Sequence, residues 1–155
     1  MQNRIILPLL IAASVAFARG SFAGNDNKTL ASRTHGSAKN EVLATTFDVS
    51  RPTGEAESLR FALRVVNNTT KMVEIQFPDG QTHDFVVNDS TGKEIWRWSE
   101  GRMFTQAIQT KLLGTGETVK YQDEWDTTLA AGKYIAVAKL SSDEELEQRV
   151  EFEVR

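Results

Sequence analysis

The sequence predicts an all-β protein, an immunoglobulin-like antiparallel β-sandwich of about seven to nine strands. Apolar and polar residues alternate with a period of two in several short segments. This alternation is typical of strands that have one buried face and one exposed face. Turn-forming residues separate the segments at short spacing, which favours hairpins over the helical crossovers of parallel sheets.

The alternation is clearest in the segments that begin at Leu59, Val73, Val119 and Val150. Charged residues such as Glu151 occupy the outward positions, where they protect sheet edges against unwanted pairing. The acidic stretch that follows Ser141 is predicted to be a hairpin loop. The predicted strands cover residues 42–49, 57–66, 71–77, 82–89, 93–98, 117–125, 133–140 and 148–155.

Tyr134 opens one of the later strands, two residues after Gly132. This spacing is typical of the tyrosine corner of immunoglobulin-like sandwiches, in which the phenol hydroxyl bonds to nearby backbone. The alternative is an ordinary half-buried tyrosine.

The amino-terminal residues 1–23 are predicted to be a signal peptide. Arg4 precedes an apolar run over residues 5–17, which is shorter than a helix that spans a membrane. Small residues allow cleavage after Ala18 or Ala23, and an uncleaved membrane anchor is the alternative. The protein is therefore predicted to be exported, periplasmic or extracellular, with no stable membrane anchor after cleavage.

Residues 24–40 are predicted to form a disordered linker. They are mostly small or polar, and Leu30 is their only large aliphatic residue. Such a segment cannot bury enough apolar surface to offset the entropy lost on ordering. The folded domain is therefore predicted over residues 41–155, a length that suits one hydrophobic core.

The composition excludes several kinds of chemistry. The chain has no cysteine, two histidines and a formal net charge of -3. His35 falls in the predicted linker, and His83 precedes Asp84 in a strand, so these two neighbours point to opposite faces. Asp84 and Asp89 are also separated by an odd number of positions. We therefore predict no enzyme, no catalytic residue, no metal site, no cofactor and no binding to nucleic acid.

Two of the three tryptophans, Trp96 and Trp98, lie two residues apart and share one face of a predicted strand. They are either core residues or part of a partner surface. The segment after them combines a cation with aromatic and apolar side chains. Arg102, Met103 and Phe104 are therefore the candidate contacts with a partner protein, the alternative being that they close the end of the sheet.

A further set of residues in this region forms a pattern: Asp84-Phe85, Asp89, Gly92-Lys93-Glu94, Trp96-Arg97-Trp98-Ser99, Arg102, Phe104, Thr105 and Gln106. This pattern resembles the signature of the BsuPI-type domain family, named for an intracellular proteinase inhibitor. That resemblance implies a small β-sandwich that binds a protein partner, with a serine protease as the candidate, and does no chemistry itself. An immunoglobulin-like envelope module for binding or assembly is the alternative.

Overall fold

The computed structural model describes residues 33–34, 42–51, 57–144 and 146–155. Within these ranges the chain forms ten strands and no helix, so none of the described residues belongs to a helix that could cross a membrane. The strands are β1 (Arg33–Thr34), β2 (Leu43–Ser50), β3 (Ser58–Asn67), β4 (Val73–Phe77), β5 (His83–Asp89), β6 (Glu94–Arg97), β7 (Gln109–Leu113), β8 (Thr118–Asp126), β9 (Gly132–Leu140) and β10 (Leu146–Val154).

The strands form two packed layers in which every pairing is antiparallel. One sheet has the order β1-β10-β9-β5-β6, and a second has the order β2-β3-β8. A separate two-stranded ribbon pairs β4 with β7. Strands β6 and β8 are thus edge strands of different sheets. The prediction of an all-β sandwich is confirmed.

Aromatic rings join the two sheets in the core. Phe85 of β5 stacks on Phe47 of β2 and Phe61 of β3, with ring centroids 5.8 and 5.6 Å apart. All three rings are buried. Burying a side chain of this size contributes about 1.5–3 kcal/mol, so this contact helps to hold the layers together.

Each of the eight predicted strands agrees with an observed strand to within two residues at either end. Strand β7 was not predicted, because four of its five residues are exposed and its sequence, QTKLL, does not alternate. It exists through backbone pairing with β4, which the local sequence does not reveal.

Part of the segment predicted as a disordered linker is a short strand. Arg33 pairs with Glu151 and Thr34 pairs with Val150, which adds β1 to the edge of β10. The remainder of that segment, and the predicted signal peptide at residues 1–23, lie outside the described residues.

The predicted hydrogen bond of the tyrosine corner is confirmed. The Tyr134 hydroxyl donates to the carbonyl oxygen of Ala130 at 2.9 Å, at a solvent-exposed position. The ring also stacks on Phe152 of β10, with centroids 5.5 Å apart. The bond therefore joins the start of β9 to the turn that precedes it.

Asn67 links the end of β3 to the ribbon. Its buried side-chain amide nitrogen lies 2.7, 2.9 and 3.0 Å from the carbonyl oxygens of Lys71, Leu113 and Gly114. Its side-chain oxygen accepts hydrogen bonds from the backbone nitrogen and hydroxyl of Thr69, at 2.9 and 2.8 Å. One side chain therefore satisfies backbone groups before β4 and around the end of β7.

We expect Asn67→Ala to lower the free energy of unfolding by about 2–4 kcal/mol, because buried carbonyl groups lose their hydrogen-bond donor. The measurement is urea denaturation followed by tryptophan fluorescence. The matched control is Asn68→Ala, whose side chain is exposed and which should stay within about 0.5 kcal/mol of the wild type. Equal midpoints for the two variants would contradict this role for Asn67.

Candidate functional site

Aromatic side chains close the side of the sandwich between the edge strands β6 and β8. Trp96 of β6 stacks between Phe61 and Trp125, with ring centroids 5.1 and 5.0 Å away. Trp96 is partly buried against the core, which fits the expectation that it is a packing residue. This first stack therefore joins β6 to β3 and β8, which belong to the other sheet.

A second stack lies beside the first and contains Trp98. The Trp98 ring lies 4.2 Å from the ring of His83, which in turn lies 4.7 Å from the ring of Tyr121. The indole nitrogen of Trp98 donates a hydrogen bond to the Asp123 carboxylate on β8. The carboxylate and the stacked rings together fix the orientation of the indole.

The imidazole of His83 is neutral at physiological pH. Its burial lowers its pKa from 6.5 to about 4, although the carboxylates of Asp123 and Asp84 act in the opposite direction. The positive charge of Arg102 lowers this pKa further. The stack between the two sheets therefore holds an uncharged ring.

Both aspartates named from the sequence accept hydrogen bonds from residues in turns. The buried Asp84 carboxylate accepts hydrogen bonds from the Ser99 backbone at 3.1 Å, the Ser99 hydroxyl at 2.9 Å and Arg97 at 2.8 Å. Asp89 accepts hydrogen bonds from the backbone nitrogen and hydroxyl of Thr91, at 2.8 and 2.6 Å, in the turn before β6. Both carboxylates thus stabilise backbone turns.

Residues 99–106, which we call the Met103 loop, leave the sandwich directly after Trp98. The loop begins with a turn in which the Arg102 backbone nitrogen donates to the Ser99 carbonyl at 3.1 Å. Gly101, the third residue of this turn, has a φ of 73°, which glycine adopts without steric cost. Asp84 therefore holds the residue at which the loop starts, and Gly101 sets its direction.

Arg102 folds back over Trp98. Its guanidinium carbon lies 4.4 Å from the centroid of the indole ring, and its Nε donates to the Trp98 carbonyl oxygen at 2.9 Å. Its Nη2 atom also lies 3.5 Å from the Asp123 carboxylate. Three separate interactions thus hold this side chain against the protein.

The far side of the loop is held as well. The Phe104 ring packs against Trp98 with a centroid distance of 5.7 Å. The Gly80 backbone nitrogen donates to the Thr105 carbonyl oxygen at 2.8 Å. A Cβ at position 80 would lie 2.6 Å from the Thr105 hydroxyl oxygen and 3.0 Å from the Thr105 backbone nitrogen, so a larger residue would require Thr105 to move.

Met103 lies between these two fixed positions and is 98% exposed. Successive side chains of an extended segment point to opposite sides. Because Arg102 and Phe104 both turn towards Trp98, Met103 points into solvent. Of the three candidate contact residues, Phe104 packs against Trp98, Arg102 contacts Trp98 while 49% of its side chain stays exposed, and Met103 is almost fully accessible.

Several residues that position the loop were not identified from the sequence as site residues. Asp123, Gly80 and Tyr121 are 18 or more positions from Met103, and their contacts exist only in the folded chain. The described residues contain no group of three His, Asp or Glu side chains that could hold a metal ion.

The β-sandwich, the stacked tryptophans and the Met103 loop are the features that the comparisons with known proteins address. The family model described as BsuPI, intracellular proteinase inhibitor, matches residues 46–145. The chain therefore belongs to the BsuPI family of proteinase inhibitor domains, and the resemblance stated from its motifs is confirmed. No curated protein matches the chain.

Solved structures show only distant likeness. The C-terminal domain of wzt is 10% identical, and the match covers 80% of this chain and 75% of that one with a TM-score of 0.43. The β-glucosidase EmGH1 from Erythrobacter marinus is 17% identical over 70% of this chain and 15% of that one, with a TM-score of 0.37. A β-glucosidase from Listeria innocua is 14% identical over 72% of this chain and 16% of that one, with a TM-score of 0.39. The chain spans 15–16% of the length of these β-glucosidases, and at such scores the likeness says nothing about function.

The family assignment corrects one prediction. The amino-terminal sequence predicted an exported, periplasmic or extracellular protein. The family is described as an intracellular proteinase inhibitor, which points to a cytoplasmic protein instead. The prediction of export was therefore wrong: it relied on a basic residue, an apolar run and small residues at two cleavage sites, and the segment that carries them lies outside the described residues.

The lowered pKa of His83 predicts a pH dependence of stability. Between pH 6.5 and about 4 the unfolded chain binds a proton at His83 that the folded chain does not. His83 therefore makes its full contribution to the free energy of unfolding above pH 6.5. This contribution falls by about 1.4 kcal/mol for each pH unit below that, and the loss stops once the pH is below the folded pKa.

The measurement compares the free energy of unfolding of the wild type with that of His83→Phe, which keeps an aromatic ring but cannot titrate. Subtracting one curve from the other cancels the contribution of the carboxylates, which both proteins share. If the two curves run parallel from pH 7 to pH 4, His83 does not remain neutral in the folded protein.

Proposed function

We propose that this protein is a non-catalytic inhibitor of a serine protease and that it presents the Met103 loop to the protease as a substrate would. The observation that carries the proposal is the exposed Met103 side chain between two neighbours that are both fixed to Trp98. The family membership supports inhibition of a proteinase in general. The serine type of the protease and the use of this loop are the further parts of the proposal.

The fixed loop favours tight binding. When a flexible loop binds, each side chain that becomes ordered reduces the binding free energy by about 0.5–1.5 kcal/mol. Arg102, Phe104 and Thr105 are already held in the free protein. Binding therefore orders little more than the Met103 side chain.

The chemistry of Met103 indicates the kind of protease. Its side chain is unbranched, flexible and apolar, so it adapts to an apolar primary pocket. The cation at Arg102 is engaged with Trp98 and Asp123, which makes it a poor ligand for the buried carboxylate of a trypsin-like pocket. We therefore assign the target to the proteases that cleave after large apolar residues.

The contacts on both sides of Met103 also explain how such a loop would resist hydrolysis. If the bond between Met103 and Phe104 were cut, the two new ends would still be held by Arg102 and Phe104 on the same indole ring. Groups held together in this way react at a high effective concentration, so the bond is readily formed again. The protease would be occupied without net cleavage.

Substitutions at Met103 test the proposal. Met103→Leu should keep the inhibition constant within about threefold, whereas Met103→Asp should raise it by a factor of roughly 100 or more, since a buried unpaired charge is strongly unfavourable. Met103→Arg should move inhibition towards trypsin-like enzymes. Residual activity of a subtilisin-like and of a trypsin-like protease is measured after incubation with each variant.

The melting temperature is the control for this series. Because Met103 is 98% exposed, all three variants should have the same melting temperature as the wild type. Equal inhibition by the wild type and Met103→Asp would reject the loop as the contact. A wild type that inhibits neither protease would instead favour a binding or assembly module that acts without a protease.

Arg102 has a different role from Met103 in this proposal. Arg102→Ala removes the contacts with Trp98 and Asp123, so the loop should be cleaved roughly 10-fold faster while the folded domain persists. Cleavage is followed by intact mass during incubation with the protease. The control is Arg149→Ala in β10, which removes an exposed arginine that pairs with Glu147 and should leave the cleavage rate unchanged.

A further inference from the structure

The side chain that best fits the protease pocket is also open to oxidation. The chain has three methionines, of which Met1 lies outside the described residues. Met103 is 98% exposed and Met72 is 68% exposed. A thioether reacts with peroxides when they can reach the sulfur, and oxidation turns an apolar side chain into a polar one.

We propose that Met103 is an oxidation site through which a peroxide turns off the inhibitory loop. The proposal rests on the proposed function. The sulfur of Met103 attacks one oxygen of hydrogen peroxide, the O–O bond breaks and a sulfur–oxygen bond forms. The sulfur loses two electrons, and the departing oxygen keeps its hydrogen, gains the proton of the transferred oxygen and leaves as water.

The effect on binding follows from burial in the complex. The sulfoxide oxygen is a strong hydrogen-bond acceptor, and an apolar primary pocket offers it no donor. Burying an unpaired polar group weakens binding, and we expect a roughly 10- to 100-fold rise in the inhibition constant. The loop itself should keep its shape, because Arg102, Phe104 and Thr105 hold it without any contribution from the Met103 sulfur.

The same exposure makes the change reversible. Methionine sulfoxide reductases restore the thioether, with one enzyme for each sulfoxide epimer, and they need access to the side chain. Met103 provides that access at the tip of a loop. A leucine at this position would be equally apolar but could not be switched.

Met72 provides an internal control. It precedes Val73, which pairs with Leu113 at the carboxyl end of β7, whereas the Met103 loop precedes the amino end of β7. Oxidation of Met72 therefore should not change binding through the Met103 loop. The variants Met103→Leu and Met72→Leu each remove one of the two exposed sulfurs while keeping an apolar side chain.

The experiment uses the full chain and its two leucine variants. Each protein is treated with limiting hydrogen peroxide, catalase removes the excess, and peptide mass spectrometry measures the sulfoxide at each methionine. Inhibition of a subtilisin-like protease and the melting temperature are then measured. We expect wild type and Met72→Leu to lose inhibition in proportion to Met103 sulfoxide, Met103→Leu to keep it, and both reductases together to restore it without a change in melting temperature.

The outcomes separate this proposal from the proposed function. Full conversion of Met103 with unchanged inhibition, in a protein whose Met103→Asp variant does not inhibit, would overturn the switch and leave the inhibitory loop standing. Slower oxidation of Met103 than of Met72, or loss of sensitivity in Met72→Leu, would also overturn it. If the untreated wild type does not inhibit, both proposals fail together.

Discussion

The position of the Trp98 indole ring is the constraint on which the Met103 loop depends. His83 stacks on this ring, the guanidinium of Arg102 lies over it, and Phe104 packs against it. Ser99, the next residue in the chain, is held by the buried carboxylate of Asp84. A ring that belongs to the packing of the sandwich therefore determines the shape of a segment outside it.

The charged groups around Trp98 are complementary to the indole ring. The aromatic face attracts the cation of Arg102, while the indole N–H donates to the carboxylate of Asp123. Arg102 and Asp123 also lie close enough to interact directly. His83 adds no charge, since its burial lowers its pKa to about 4. A cationic imidazole would repel Arg102, so the neutral ring is what allows the guanidinium to stay over Trp98.

The sequence predicted the strands well and the loop contacts poorly, for one physical reason. A period of two reports which face of a strand is buried, and this is a local property of residues such as those around Phe61. Strand β7 and the fixed geometry of the loop arise from partners distant in the chain, such as Gly80 and Asp123. Composition could identify residues 102–104 as unusual. It could not show that Arg102 points inwards and that Met103 points outwards, because that depends on the position of Trp98.

The division of roles in the loop separates stability from recognition. Arg102 and Phe104 contribute packing and hydrogen bonds to the folded protein, so changes at these positions alter the loop itself. Met103 contributes almost nothing to the fold, since nearly all of its surface faces solvent. In the proposed inhibitor, a protease with a different primary pocket would therefore require a change at Met103 only, and the fold would stay as it is. The use of methionine in place of leucine then has no explanation in stability, and the distinguishing property that remains is the chemistry of its sulfur.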